Sequence, residues 1–338
     1  MNGILKTQAE YYNDPVTYAG EGGTATNKAV IEDIFDLCAW HNITTTQPET
    51  YAVTSHKQYA VMVTDVNFNN HPTMKFGITD DTLLDMNFGG QKGELDGAGH
   101  TIYNLVVNSN TPTTSQYGIV SRGEVRNVNF KNVVFMGGST RGAYPLFKTL
   151  TMNNCNVSAY LATFYFASFI HNTMTINDCT FNVAGLVDYY GLLGGNVSSY
   201  VMNANRVRFH FSNLNVTGKA SSSSSAQICA NTPIATGTGG IFNNCAFTGL
   251  IYQRNAVTST SSSHLSSAKH TNCYFALTTG ITNYTKLFNA SDNYITGMNL
   301  FDIDLLGGEY DDGNNYMCVH TSQLKNKDFL QLNGFITL

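Results

Sequence analysis

The sequence predicts an all-β protein: a right-handed, single-stranded parallel β-helix (a solenoid) with an N-terminal capping helix. Two features of its composition favour strands over helices. Only 12% of the 338 residues are charged, and the chain is rich in Asn and Gly, whereas the exposed faces of helices normally carry charge. With 42% hydrophobic and 12% aromatic residues, the chain also differs from intrinsically disordered sequences. A third observation, an internal repeat, identifies the kind of β structure.

The repeat is a five-residue pattern of two polar residues, often Asn, then Cys or Val, any residue, and Phe or Val. Its central residue stands at positions 128, 155, 179, 207, 245 and 273, at intervals of 24 to 38 residues. In a short strand alternate side chains point inward, and Asn tolerates the left-handed backbone of a tight corner. One such unit per coil predicts a stack in which every coil covers the strand edge of its neighbour.

The repeat gives a place to four of the seven cysteines. Central positions of neighbouring coils should point into the core, so we expect a ladder of small, buried, reduced side chains at Cys155, Cys179, Cys245 and Cys273. A disulfide between stacked neighbours is the alternative, because their expected separation permits one. The cysteines are widely spaced and include no CxxC pair, so no zinc site is expected. We predict neither a bound metal nor a cofactor.

The same signals divide the chain into four parts. They are an N-terminal arm (1–23), a capping helix with the segment that leads into the first coil (24–50), a parallel β-helix (51–318) and a C-terminal cap or tail (319–338). The clearest helix is predicted over residues 26–40, where Val30, Ile34 and Leu37 share one face. A single amphipathic helix before a solenoid would cover the core of the first coil.

Charge and hydropathy exclude several partners. The net charge of −5 gives no general basic field, so nucleic-acid binding is not expected. No apolar run approaches the roughly 18 to 20 residues of a membrane helix, so we expect no membrane insertion. The first residues lack the apolar core of a secretory signal, so we expect no Sec export and a chain folded in a cytosol.

The most specific motif lies in residues 94–107. From residue 95 it reads Leu-Asp-Gly-Ala-Gly-His-Thr-Ile-Tyr-Asn-Leu, and it resembles a coil motif of the pectate-lyase-like right-handed parallel β-helix superfamily. The likeness spans roughly residues 28–318 and is strongest to the adhesin and bacteriophage-appendage branch, whose proteins are non-enzymatic and usually homotrimeric. The resemblance implies structural roles in a coil and its turn for Leu95, Asp96, Gly97, Gly99, His100 and Ile102.

No catalytic residues are predicted. Polygalacturonase-like enzymes of this superfamily need an Asp cluster with Gly-His-Gly and Arg-x-Lys elements, and the sequence contains none of these as a motif. A carboxylate pair assembled from different coils or subunits stays open, because glycoside hydrolysis needs only two carboxylates at a suitable separation. The acidic residues between 302 and 312 are interpreted as a solvated end cap, with cation binding as the alternative.

Two kinds of interaction surface are predicted. The stretch 160–170 is apolar on both faces of a strand, which is typical of a subunit contact, with cover by another element or a ligand platform as the alternatives. The interface candidates are Tyr160, Phe164, Phe166, Tyr189 and Tyr190. Insertions at 219–240 and 252–271 are rich in Ser, Thr and Ala, which suits weak multivalent recognition of a glycan or of another virion protein. The binding candidates there are Ser221, Ser222, Ser223, Tyr252, Arg254 and His264.

Three functions follow as hypotheses. The first is a bacteriophage virion structural protein, a tail or head appendage or fibre, made in the host cytoplasm and displaying a receptor- or glycan-binding β-helix. Its partners would be further copies of the chain, as a homotrimer, other virion proteins, and a host-surface glycan or receptor. The second is a bacterial surface adhesin of the same fold, located at the cell surface. The third is a polysaccharide lyase or hydrolase.

Overall fold

The computed structural model shows an all-β chain that forms a parallel β-solenoid. It describes residues 25–34, 36–37, 59–68, 93–109, 123–137, 147–148, 150–163, 170–171, 174–187, 202–216, 241–253, 269–279, 299–302, 304 and 316–332. All strand pairs among these residues are parallel. The predicted fold class is confirmed. The right-handed sense is the one expected for parallel crossover connections.

Short strands, one from each coil, form a nine-stranded sheet. In spatial order they are β1 (Ala29–Ile31), β2 (Tyr59–Met62), β4 (Gly93–Asp96), β7 (Gly123–Arg126), β10 (Leu150–Asn153), β13 (Met174–Asn177), β15 (Met202–Asn205), β17 (Ile241–Asn243) and β19 (Lys269–Thr271).

A second sheet of eleven strands contains the longer strands. They are, in chain order, β3 (Val66–Asn67), β5 (Thr101–Tyr103), β6 (Val106–Ser109), β8 (Asn129–Gly137), β11 (Asn156–Thr163), β14 (Thr180–Val187), β16 (Arg208–Val216), β18 (Ala246–Gln253), β20 (Tyr274–Thr279), β21 (Asn299–Asp302) and β22 (Tyr316–Val319). A third sheet pairs β9 (Phe147–Lys148) with β12 (Ile170–His171).

The register of the strands follows the sequence repeat. Asn156 lies opposite Thr180, Thr180 opposite Arg208, and Arg208 opposite Ala246, so equivalent positions of successive five-residue units stack directly. The central residues of the six units, at 128, 155, 179, 207, 245 and 273, are all buried. The repeat therefore marks the coil register correctly, because each unit contains the corner where a short strand passes into a long one.

That corner needs a left-handed backbone at the second polar position of the repeat. The residues there have φ between +51° and +55°, and Asn occupies four of the six positions: Asn127, Asn154, Asp178, Arg206, Asn244 and Asn272. Asn reaches this region at low cost because its short side chain bonds to nearby backbone. Polar preference at the corner thus has a conformational cause.

Asn side chains also link the coils. Asn side chains form a ladder in which the Nδ2 of Asn177, Asn205 and Asn243 donates to the Oδ1 of the Asn one coil before it, over distances of 2.8 to 3.0 Å, beginning at Asn153. A matching ladder of stacked rings lies inside the solenoid. Phe181, Phe209, Phe247 and Phe275 are buried, with centroids 5.4, 5.2 and 5.1 Å apart. Both ladders require a coil-by-coil repeat of the same residue type.

At the C-terminal end, helices α1 (Thr321–Leu324) and α2 (Lys327–Leu332) follow the last strand. Leu330 of α2 packs with Leu300 and Val319 in a small core, and Tyr274 and Met317 lie against it. Leu300 and Met317 share the outward row of the eleven-stranded sheet with Tyr274. The helices therefore cover the outer face of this sheet.

The helix predicted over residues 26–40 is wrong in its first part, since residues 29–31 form β1 and pair with β2. Ala29 and Ile31 are fully buried and Val30 is exposed, so the alternation of a strand overrides the helical spacing of the same apolar residues. Residues 34, 36 and 37 are helical, and residues 38–40 lie outside the described residues. The described helices include none of the length and apolarity that crossing a membrane requires.

Candidate functional site

The motif that carries the family resemblance forms the turn after β4. Leu95 and Ile102 are fully buried, one on each side of this turn. Asp96 accepts a hydrogen bond from the backbone N–H of Ala98 (3.1 Å), and Gly99 has φ +90°. A Cβ at Gly97 would lie 2.4 Å from the Asn127 carbonyl oxygen of the next coil. Glycine is needed here because two coils approach closely.

Asp96 belongs to a cluster of five charged side chains, four on the outer face of β4 and β7 and one, Lys28, just before β1. Arg126 contacts three carboxylates, with its Nη2 2.7 Å from Glu94 and its Nε 3.0 Å from Asp96. Lys28 lies 3.7 Å from Glu94 and 3.5 Å from Asp96. We call these residues, with Glu124, the Asp96 cluster. An alignment of Glu94-Leu95-Asp96 with Glu124-Val125-Arg126 would have revealed the cluster from the sequence, because the two triplets lie in register on neighbouring coils.

The electrostatics of the Asp96 cluster favour a permanent ion pair. Burial raises the pKa of Asp96, but hydrogen bonds from Asn127, from the Ala98 N–H and from Arg126 outweigh it and lower the pKa to about 2. The pKa of Arg126 is raised by its carboxylate neighbours, against the effect of burial. Asp96 is therefore ionised, and both of its oxygens accept hydrogen bonds. An ionised Asp96 can hold two coils together through its ion pairs, and it has no proton to donate.

His100 does not pair with Asp96. Its Nδ1 lies 3.3 Å from Asp65 Oδ1, and the same oxygen accepts the backbone N–H of Thr101 at 2.8 Å. Asp65 precedes β3 in the preceding coil, so these bonds tie the turn of one coil to the next. Sequence reasoning missed Asp65, because the two residues stand far apart in the chain and meet only through stacking.

The four repeat cysteines are buried thiols that form no disulfide. The backbone N–H of Cys155 donates to the Sγ of Cys179 (3.3 Å), and the sulfurs donate to backbone carbonyls such as that of Asn177 (3.1 Å). Hydrogen bonding from Cys179 lowers the pKa of Cys155, whereas its hydrogen bond to Cys155 and burial raise the pKa of Cys179. Burial also raises the pKa of Cys245. These thiols occupy core positions, as a ladder requires.

Two of the C-terminal acidic residues hold helix α1. Asp304 accepts the Thr321 N–H (2.9 Å) and contacts His320 Nδ1 (2.9 Å), and the fully buried Asp302 accepts the Thr321 hydroxyl (2.7 Å). Glu309, like the other predicted acidic residues, lies outside the described residues. Within the described ranges, no group of three or more His, Cys, Asp and Glu side chains is arranged to hold a metal ion. Asp302 is thus an internal anchor and differs from the predicted solvated face.

Few of the predicted interaction residues lie in described parts of the chain. Tyr160, on β11, is 53% exposed, and Tyr252 belongs to β18, opposite Asn215. Residues 252–253 and 269–271 are strand, so the second predicted insertion is shorter than expected and spans 254–268. The remaining candidates lie outside the described residues; they are Phe164, Phe166, Tyr189, Tyr190, Ser221, Ser222, Ser223, Arg254 and His264.

Each coil nevertheless has two unequal sides. On one side a short strand passes into a long one through a tight corner, which has two residues, such as Asn154 and Cys155, in the six coils of the repeat and three or four in the coils before them. On the other side the chain passes from a long strand to the next short strand of the nine-stranded sheet through longer connections, at 110–122, 138–149, 164–173, 188–201, 217–240 and 254–268. Because the long strands stack in parallel, these connections all begin along one edge of the solenoid, which we call the insertion edge.

Comparison with known proteins adds little. No protein-family model matches the chain, and no curated protein matches it. A crystal structure described as that of "a putative immunoglobulin A1 protease from Bacteroides ovatus" matches with 13% sequence identity and a TM-score of 0.46, over 92% of this chain and 89% of that one. A likeness at this level carries no argument about activity. The strand pairing by itself shows a parallel β-solenoid.

Proposed function

We propose that this chain is a non-enzymatic structural protein of a bacteriophage virion, an appendage or fibre that displays receptor- or glycan-binding segments on a rigid β-helix. The observation that carries the proposal is the insertion edge. Tight corners repeat on one side of the solenoid, and the six long connections named above start on the other. Binding residues are commonly presented in this way, on variable segments held by a regular scaffold. The sequence resemblance to the appendage branch supports the same role.

Two aspartates of the coils, Asp96 and Asp178, are held in ways that oppose proton donation, whereas burial raises the pKa of Asp36, which follows β1, to about 6. Asp178 is held by a bidentate pair with Arg206, and its pKa is lowered by this hydrogen bond. Asp96 is ionised within its own cluster. Glycoside hydrolysis requires one carboxyl group with a raised pKa to protonate the leaving oxygen. These two aspartates have the opposite property.

We propose further that the protein is a homotrimer with other virion proteins and a host-surface glycan or receptor as partners. Tyr160 supports a lateral contact, because an exposed Tyr in the middle of a β-sheet face offers a large apolar surface beside the half-exposed Val134 and Ala184 of neighbouring strands. Light scattering at micromolar and nanomolar concentration tests this. We expect about three times the chain mass of 36.9 kDa, and a strict monomer would contradict the trimer.

The function itself is tested by adsorption of the recombinant protein to bacterial strains. Deleting Ser221–Ser225 from the insertion edge should weaken adsorption while leaving the melting temperature nearly unchanged. Thr175→Ala, on the outer face of β13, is the matched control and should adsorb as the unmodified chain does. Equal adsorption of the deletion and the control would remove this segment from the binding site. Release of reducing ends from bacterial polysaccharide would instead favour the lyase or hydrolase.

A further inference from the structure

Arg208 differs from the other described arginines. Arg126 and Arg206 each pair with carboxylates, whereas Arg208 pairs with no carboxylate of the described residues. Its Nε is buried and has no hydrogen-bond acceptor within reach. A buried donor of a charged group without an acceptor is costly and rare in folded proteins, so it calls for an explanation.

The neighbours of Arg208 on the sheet form an outward-facing row. Arg208, Ala246 and Tyr274 face one another in register on β16, β18 and β20. They alternate with the inward-pointing Phe209, Phe247 and Phe275 and therefore point outward. Ala246 is nevertheless fully buried, because this small side chain lies between two large ones that cover it. Tyr274 in turn packs against the core beneath α1 and α2.

Polar neighbours complete the surface. His210 stands two residues after Arg208 on the same face, and its Nδ1 lies 2.9 Å from the Thr248 hydroxyl. The exposed Asn182 lies opposite His210 on β14. Burial and the charge of Arg208 lower the pKa of His210, so the ring is neutral near pH 7. We call these residues, with Arg208 and Tyr274, the Arg208 patch.

The composition of the Arg208 patch selects a ligand class. A single arginine with no competing carboxylate matches one planar monoanion, which a guanidinium binds through two parallel hydrogen bonds. The neutral His210, Thr248 and Asn182 can donate and accept hydrogen bonds, which suits hydroxyl groups. Tyr274 adds an aromatic surface with an apolar body and a polar tip. A sugar that carries a carboxylate combines all of these features.

We propose that the Arg208 patch binds the carboxylate-bearing sugar of an acidic glycan, with the carboxylate on Arg208 and the hydroxyl groups on His210, Thr248 and Asn182. The proposal rests on the proposed glycan recognition and names its ligand chemistry. The site lies on the outer face of the eleven-stranded sheet, beside the C-terminal helices. It is separate from the residues predicted for the insertions.

The test is NMR titration of the full chain with glucuronate and with N-acetylneuraminate, observing the His210 ring, with glucose as the neutral control. We expect saturable shifts with at least one sugar acid and none with glucose. Arg208→Met keeps an unbranched side chain over Ala246 and should weaken binding at least tenfold. Arg206→Met, which removes a neighbouring arginine already paired with Asp178, should change binding less than twofold.

Unsaturable shifts with both acids, equal shifts with glucose, or equal binding by Arg208→Met would each overturn the site. Adsorption to cells separates this outcome from failure of the proposed function. If Arg208→Met adsorbs like the unmodified chain while the Ser221–Ser225 deletion does not, display by the insertions stands and the Arg208 site falls. If the sugar acid binds but the unmodified chain adsorbs to no strain, the site stands and the appendage proposal fails.

Discussion

The first coils and the later coils of this solenoid are stabilised differently. On β4 and β7 the inward side chains Leu95 and Val125 are aliphatic, and the Asp96 cluster joins the coils from outside by ion pairs. Between β14 and β20 the core is aromatic, and stacked Phe rings join the coils from inside. The backbone ladder is the same in both regions. Side chains on either face of a coil can therefore supply the contacts that fix one coil on the next.

This difference predicts different sensitivities. Ion pairs between partly exposed groups weaken in salt and in acid, whereas stacked buried Phe rings respond to neither. Rings are instead sensitive to lost volume, since a core cavity removes both transfer free energy and contacts. Substitutions in each region should therefore be distinguishable by the conditions under which they matter.

The largest effect is expected from Phe247→Ala. Phe247 is fully buried, stacks on Phe209 and Phe275, and meets Phe242 edge-on, with centroids 5.4 Å apart. Truncation should lower the free energy of unfolding by about 3 to 5 kcal/mol. Denaturant unfolding in low and high salt measures it, and the loss should be the same in both. Phe247→Leu, the control, should lose less; a loss below about 1 kcal/mol for Phe247→Ala would contradict the aromatic ladder.

In the first coils, Asp96→Asn removes the charge at the centre of the cluster. We expect a loss of about 1 to 3 kcal/mol at pH 7, because Arg126 and Lys28 lose a charged acceptor. The folded pKa of Asp96, about 2, lies below its ordinary value of 3.8, so the stabilisation is present above that value and disappears as the pH falls towards 2. Unfolding followed from pH 7 to 2 should show the two proteins converging.

High salt separates this effect from a packing defect. The loss of unfolding free energy caused by Asp96→Asn should be smaller in 1 M salt, whereas the loss caused by Phe247→Ala should not change. A deficit that is independent of both pH and salt would mean that Asp96 acts through the turn geometry alone, by its bond to the Ala98 N–H.

The sequence repeat accounts for the coils and their register, since the corner residue, the inward residue and the strand alternation all lie within five positions. The repeat does not predict the contacts between coils that depend on particular side chains. The pairing of His100 with Asp65 joins residues outside the repeat, and the strand at 29–31 forms because β2 offers it an edge. Arg208 gave no sequence signal, because only the stacked neighbours reveal that it lacks a carboxylate.

His270 tests the later coils with pH. It is fully buried and lies parallel to Phe242, with ring centroids 5.4 Å apart, and burial lowers its pKa to about 3 from 6.5. As the pH falls below 6.5 the unfolded chain binds a proton that the folded chain does not, so stability declines down to about pH 3. His270→Phe removes this proton uptake. As the pH is lowered from 7 to 5, the free energy of unfolding of the variant should rise by about 1 to 2 kcal/mol relative to that of the unmodified chain.

Thermal unfolding of both proteins across this pH range measures the gain. His210→Phe is the control, because His210 is only partly buried and should contribute a smaller pH dependence. Parallel curves for His270→Phe and the unmodified chain would show that His270 is protonated without cost in the folded protein.

The smallest effect is expected at the cysteine ladder, where Cys179→Val should change the free energy of unfolding by less than about 1.5 kcal/mol. Val128 and Val207 already occupy the equivalent, fully buried positions of other coils, so the site accepts valine. Cys179→Ser is the contrasting variant and should be more destabilising, because it buries a more polar hydroxyl. Titration of the unfolded chain without reductant should find all seven thiols free. Markedly fewer would indicate disulfides between stacked coils and would make valine at position 179 costly, because one such bond would be lost.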